Sequence, residues 1–500
     1  MAEPRETVIG VDVGTTAVKA VVVDSAGAIA SVADASYESS RPHHGWVEQD
    51  PHDWWRLLTE CVRRATQEAG PIEVRALALS TQGDTSVPVD ERGEPLRPAI
   101  TWLDTRAERE VAELEGRLPP ERWYAIAGSR LGAYAAATRG PWLRRHEPAV
   151  WARTKRLALV ADWLTERLTG RAALDVPNAS RTVLFDVASR QWSPELLAAA
   201  EVEPSRLPEV VPSGQPLGTL TPAAAEELGL SAATVVVAGG HDQTCAAVGA
   251  GVLSPGDVLL SCGTAWVVLA ALDRPRLSPD RELQVYCHAA PDTWAALGAY
   301  AGGSVLNWLR ESVLSSPLPF EQLDALAADA PECSPLLFLP HLYGKTFSAP
   351  HARGSLIGLT LHHELGHIVR ALYEGVALET RANLEILRRS GAPLRSLRMI
   401  GGGARSRCWP QMIANACGVP VALPAVREAA AYGAALLAGV GVGLFPNLAS
   451  ATSSLPLAAV LEPDAGLSGY YEELFALYQT AFDQLAPLCE RLLALRPPSA

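Results

Sequence analysis

Thr7–Asp24, TVIGVDVGTTAVKAVVVD, is a β-branched run, a small turn and a second β-branched run. The pattern predicts a hairpin with Gly14, Thr15 and Thr16 at its tip. A tip of small residues bares backbone N–H groups beside two hydroxyls, a concavity that suits a phosphate. Asp12, on the strand just before the tip, is placed to hold Mg²⁺ through water. A plain surface hairpin with Asp12 as a turn residue is the competing reading of this stretch alone.

The design returns about 250 residues later, where Asp257–Ala271 reads DVLLSCGTAWVVLAA with Gly263 and Thr264 at its tip. Two such hairpins predict a duplicated architecture, each half giving one phosphate-gripping tip. Upstream of the second lies Val235–Gly251, VVVAGGHDQTCAAVGAG. Its apolar run ends in two glycines and delivers His241, Asp242 and Gln243 to a strand's end, where a ligand can approach. Asp242 is the candidate catalytic base; the alternative is that it only caps the small-residue helix that follows. A third glycine cluster, Gly401-Gly402-Gly403, stands between a β-like and a helix-like segment and admits a flat ring or phosphate close to the backbone. It is not a GxGxxG fingerprint, and the sequence has no Walker A motif, so the Rossmann dehydrogenase and P-loop classes lose support.

With 500 residues, 48% of them hydrophobic, the chain can bury two or three cores. Two large lobes are expected, over residues 1–248 and 249–490, with Pro497–Ala500 a frayed tail. Acidic residues outnumber basic ones 55 to 42, a net charge of −13. That balance argues against a nucleic acid or an anionic membrane as partner and favours a cytoplasmic protein. Eight cysteines without CxxC or metal-like spacing read as buried reduced thiols. The opening MAEPRETV lacks the apolar core of a signal peptide, and no run approaches a membrane span. Trp46, Trp54 and Trp55 are expected to pack structurally, and Pro119–Trp192 to form a mostly helical insertion.

Ala78–Val89, ALSTQGDTSVPV, reads as a strand leading to the polar cluster Thr81, Gln82, Asp84 and Thr85, with WLDTR at 102–106 beyond it. Carboxylates and amides bind vicinal hydroxyls, and Trp102 can cover the apolar face of a polyhydroxylated ligand. Core packing is the other reading of Trp102. Gln82, Asp84, Trp102, Asp104, His241 and Gln243 form the expected substrate-binding set.

Eight pieces in order, VDVGTTAVKAVVVD, GWVEQDP, WLDTR, LFDVASRQW, AGGHDQ, LLSCGTA, GGGARSRCW and EAAAYGAALLA, cover nearly the whole chain. They resemble the FGGY carbohydrate kinases, most nearly the xylulokinase group. The resemblance implies an α/β, two-lobed actin-like ATPase (ribonuclease H-like) fold with a duplicated core. It implies ATP-dependent phosphorylation of a sugar hydroxyl, first of all on a ketopentose such as xylulose, with glycerol, gluconate, ribulose or a related polyol or aldonate as alternatives. Under it Asp242 takes the proton and Asp12 is the Mg²⁺ ligand. Gly14, Thr15, Thr16, Gly263 and Thr264 grip the ATP phosphates, while Gly303, Asn307, Gly403, Ala404 and Arg407 hold the nucleoside end. The first lobe carries the sugar site and the second the adenosine site. The implied partner is a small-molecule sugar, with a homodimer as the expected assembly. The chain departs from the family at three places. It has Gln82-Gly83-Asp84-Thr85 where xylulokinases carry Gln-Met-His-Gly and glycerol kinases Gln-Arg-Glu-Thr, His241 where glycine is frequent, and Arg407 where some relatives carry Asn.

One motif points elsewhere. His363-Glu364-Leu365-Gly366-His367 satisfies the HExxH zinc-protease pattern, which needs both histidines on one helix face and Glu364 as base. The absence of an HxxGxxH extension, and the helical periodicity that continues through LGHIVRALYEGVALETRANLEIL, favour the start of a long structural helix instead.

Overall fold

Both hairpins are present, and each is the middle of a sheet. The computed structural model describes residues 5–345, 349–453 and 455–495; Pro497–Ala500 lies outside them. The first sheet is built from β1 (Arg5–Val13), β2 (Ala17–Asp24), β3 (Ile29–Ser36), β4 (Ile72–Thr81), β5 (Pro216–Thr219) and β6 (Val235–His241). The second is built from β7 (Asp257–Cys262), β8 (Ala265–Leu272), β9 (Gln284–Cys287), β10 (Trp294–Ala301), β11 (Ser396–Gly401), β12 (Val421–Pro424) and β13 (Leu457–Leu461). Val13 faces Val18 at the root of the first hairpin, and Cys262 faces Trp266 at the root of the second.

The first sheet runs β3-β2-β1-β4-β6-β5 and the second runs β10-β8-β7-β11-β12-β13, with β9 added beside β10. Strand directions match as well: β1, β4 and β6 are parallel in one sheet, and β7, β11 and β12 in the other. The remaining neighbours are antiparallel in both. The core is therefore duplicated, and β9 has no counterpart. Central strands covered on both faces are Val-, Ile- and Leu-rich throughout, as in β1 and β7.

Helices fill the connections. Among them are α1 (Pro51–Ala69), α2 (Val176–Arg181), α3 (Asp242–Gly249), α4 (Gly303–Trp308), α5 (Leu365–Arg389), α6 (Ala429–Gly441) and α7 (Ser468–Ala494). α3 leaves β6, α6 follows β12, and the two cross between the lobes. Their contact is made of hydrogens and methyl groups: a Cβ on Gly433 would lie 1.9 Å from the Cys245 carbonyl, and one on Gly249 would lie 2.1 Å from that of Ala429. α6 also lies against β1, where a Cβ on Gly10 would sit 1.8 Å from the Ala431 carbonyl. Glycine and alanine at these places let backbones touch, and nothing larger fits.

The segment from Pro119 to Trp192 is mostly helical, as expected, with a few short strands among its helices. Short strands such as Arg156–Leu159 and Ala173–Asp175 interleave with helices such as Val160–Thr169 and α2. β9, though in the second half of the chain, leans on this segment. The Val285 N–H donates to the Gly128 carbonyl at 2.7 Å, and the Cys287 N–H donates to Ser180 Oγ at 3.0 Å. Trp54 and Trp55 are buried, and Trp46 meets Trp142 edge-on with the Arg106 guanidinium 3.7 Å from its ring centre, so all three pack structurally. No helix among the described residues is long and apolar enough to cross a membrane.

Candidate functional site

Three parallel strands of the first sheet end side by side: Val13 pairs with Thr81, and Thr81 with His241. Their carboxyl ends deliver Asp12, the Gln82–Asp84 turn and Asp242 to one edge, the place where open α/β sheets bind ligands. Asp242 is the first residue of α3, and the capping position belongs to His241, which makes no side-chain cap. Capping therefore does not account for this acid. Its side chain is 26% exposed, and its Oδ1 has no hydrogen-bond partner. Burial, and then the charge of Asp12, push the Asp242 carboxyl up to about 7. Asp12 is itself raised to about 6, chiefly by burial, although Ser80 Oγ donates to its Oδ1 at 2.6 Å. Asp12, beside a tip of N–H donors, fits Mg²⁺, an ion that takes one or two carboxylates and completes its shell with phosphate and water.

The first tip is held from behind. Tyr37 Oη donates to the Gly14 carbonyl, Gln49 Nε2 donates to that of Thr15 at 2.8 Å, and Trp102 Nε1 donates to Thr15 Oγ1 at 2.9 Å. Gln82 belongs to the same support. Its amide donates to Gln49 Oε1 at 2.9 Å and its Oε1 accepts from Thr85 Oγ1 at 3.1 Å, so little of it is free for a sugar. The second tip, Gly263 and Thr264, is exposed. A Cβ on Gly303 would lie 2.4 Å from the Gly263 carbonyl, and one on Gly403 would lie 2.8 Å from the Trp266 ring. These glycines seat the second hairpin. Asn307 lies one turn along α4 from Gly303, and Ala404 directly follows Gly403. Arg407 is exposed, and its backbone N–H donates to Asp324 Oδ2 at 2.7 Å. Asp324, which also accepts from Ser406 Oγ, fixes this loop and carries no sequence signal.

Beside Asp242 a cavity of about 340 Å³ opens between the lobes. Asp84 lines it with a left-handed φ of 58°, a conformation that Asp tolerates better than most residues. Its Oδ2 accepts from Arg181 Nη2 at 3.0 Å, and its Oδ1 has no partner. Arg181, the last residue of α2, reaches on to Gln284 Oε1 of β9 at 2.6 Å and stands over the Tyr286 ring. Five buried polar atoms of residues lining this cavity lack partners: Asp84 Oδ1, Arg181 Nε, His241 Nδ1, Asp242 Oδ1 and Gln243 Oε1. Buried polar atoms are rarely left unpaired, and five acceptors and donors around one cavity mark a place for a polyhydroxylated ligand. Trp102, 42% exposed, lines the cavity while its indole N–H reaches the first tip.

One expected residue is misplaced. Asp104 is fully buried and outside the cavity, its oxygens taken by the Val47 N–H at 2.6 Å and by the Arg106 guanidinium at 2.8 and 2.7 Å. It is a structural ion pair under the cluster. Conversely Arg181, Tyr134 and Gln284 line the cavity and were not expected. The zinc reading fails on geometry. α5 begins at Leu365, so His363 is outside the helix. The Nδ1 atoms of His363 and His367 accept from the backbone N–H groups of Thr360 and Glu364, at 2.9 and 3.1 Å. Among the described residues no group of three or more His, Cys, Asp or Glu side chains could hold a metal.

Comparison with known proteins agrees over the whole length. Residues 7–249 match the N-terminal domain, and residues 258–442 the C-terminal domain, of the FGGY family of carbohydrate kinases. The chain is 32% identical to a xylulose kinase of Staphylococcus epidermidis, with 98% of this chain and 99% of that protein covered. It is 31% identical to an autoinducer-2 kinase of Klebsiella pneumoniae, with 95% and 94% covered. The crystal structure of a xylulose kinase from Rhodospirillum rubrum superposes with a TM-score of 0.89 at 32% identity, covering 97% of this chain and 100% of that one.

Proposed function

The chain belongs to the FGGY family of carbohydrate kinases, and on that premise we propose that it phosphorylates a ketopentose such as xylulose with Asp242 as the base. The observation that carries the reading is the ring of unpaired polar atoms beside two raised carboxylates at the strand ends. ATP lies with its phosphates between the Gly14–Thr16 and Gly263–Thr264 tips and its nucleoside end near Asn307, Gly403, Ala404 and Arg407. Asp12 would hold Mg²⁺, which when bound neutralises the triphosphate oxygens. The substrate hydroxyl oxygen attacks the γ-phosphorus, the bond to the bridging oxygen of ADP breaks, and Asp242 accepts the hydroxyl proton. A base held near pH 7 is matched to that task.

Neutral polyols and sugars suit the cavity better than aldonates. Arg181 is already paired with Asp84, so a substrate carboxylate at this end of the cavity would meet Asp84 and Asp242. Full-length similarity to proteins named xylulose kinase supports the ketopentose. The test is ADP release over ketopentoses, ketohexoses, polyols and aldonates. Highest kcat/KM on a ketopentose is expected; an aldonate as best substrate would overturn the reading. Asp84→Ala should raise the sugar KM by about tenfold or more with the ATP KM unchanged, because a hydroxyl left unpaired costs about 1–3 kcal/mol.

A cytoplasmic site of action belongs to the same reading, supported by eight free cysteines, most of them buried. So does a homodimer, for which Leu477, Leu488 and Leu492 on α7 offer exposed apolar surface; light scattering checks it.

A further inference from the structure

Gly83 and His241 lie against each other on the cavity wall. The φ of Gly83 is outside the left-handed region, so the backbone does not demand glycine there. Space does. A Cβ at residue 83 would lie 2.8 Å from Cδ2 and 3.0 Å from Nε2 of His241. The side chain is 8% exposed, its ring stands edge-on to Tyr286 with ring centres 5.5 Å apart, and Nε2 lies 3.2 Å from Asp242 Oδ1, close enough to pair though not aligned as a hydrogen bond. Its Nδ1 is buried without a partner.

The geometry points to His241 as a positioning residue for Asp242, admitted to the cavity wall because residue 83 has no side chain. The idea rests on Asp242 being the base. Burial and the nearby Arg181 keep the ring neutral, so it carries one proton. A carboxylate beside Nε2 draws that proton to Nε2 and leaves Nδ1 a bare acceptor. One nitrogen then faces the base, and the other is free to accept a substrate hydroxyl. The two departures from the family pattern, at residues 83 and 241, become one packing event.

A double-mutant cycle tests this. Gly83→Ala leaves the backbone unstrained and presses the ring away from Asp242. Turnover should fall about 10–100-fold, the scale of a base displaced by an ångström, with the ATP KM unchanged. In a His241→Ala background the same Gly83→Ala change should cost nothing. His241→Gln, which keeps an N–H at the end of a side chain, should retain more turnover than His241→Ala. Equal factors for Gly83→Ala in both backgrounds, or equal losses for Gln and Ala, would overturn the proposal. Thermal melts run the cycle independently of turnover: Gly83→Ala should lower Tm in the parent and not in His241→Ala, and equal shifts would again overturn it. A parent that phosphorylates no sugar on the panel contradicts the function, whereas the melts still decide the coupling.

Discussion

Asp242 carries the sharpest consequences at the scale of single residues. A carboxyl at about 7 in the fold, against its ordinary 3.8, takes up a proton on folding across that interval. Its stabilising contribution is thus complete below pH 3.8 and is lost as the pH rises through 7. Asp242→Asn should therefore melt on the order of a few degrees higher than the parent at pH 8, a gap that closes toward pH 4. The same variant should lose about a hundredfold or more of its turnover, the scale of general-base assistance. The acid limb of kcat/KM for the sugar should lie near pH 7. That of kcat should lie lower, because Mg²⁺ and substrate then favour the ionised form. The place of Asp242 at a strand end was legible because an apolar run closing in glycines has to deliver the next residue there. Asp104 was misread because its partners, Val47 and Arg106, are set by tertiary packing that WLDTR does not reveal. Arg181 was missed for the converse reason: only the seating of α2 between β4 and β9 turns an arginine in an ordinary run, NASRT, into a bridge across the cavity.

Among the elements, both hairpins were readable from β-branched flanks and small tips, since strand pairing and turn chemistry are local. What holds the tips was not. Gly303 follows β10 and meets the second tip only because β8 and β10 pair. Gly303→Ala would place a Cβ 2.4 Å from the Gly263 carbonyl and push that tip out of line. The ATP KM should rise about tenfold or more while sugar binding, measured by calorimetry, is unchanged. An unaltered ATP KM would separate the second hairpin from the nucleotide. The HExxH stretch shows the limit of motif reading. Two of its residues lie before α5 and three within it, so a spacing that requires one continuous helix has no structural meaning here.

In the whole molecule the lobes meet at a crossing that tolerates only the smallest residues. Gly433→Ala, with its Cβ 1.9 Å from the Cys245 carbonyl, should cost at least about 1–3 kcal/mol, read as a lower denaturant midpoint. Gly116→Ala, whose Cβ meets nothing within 4 Å, is the neutral control. The duplication was visible in the repeated hairpin, but β9 was not, because its four residues are recruited by partners far away in sequence. That strand breaks the equivalence of the halves. A chain grown by doubling a unit starts with two interchangeable ends, and matched parts such as the two tips constrain each other. Novelty accumulates where no twin constrains it. β9 supplies Gln284 to the cavity and Tyr286 behind His241, so libraries confined to residues 282–288 are the natural route to kinases that accept new sugars and keep their old appetite for ATP.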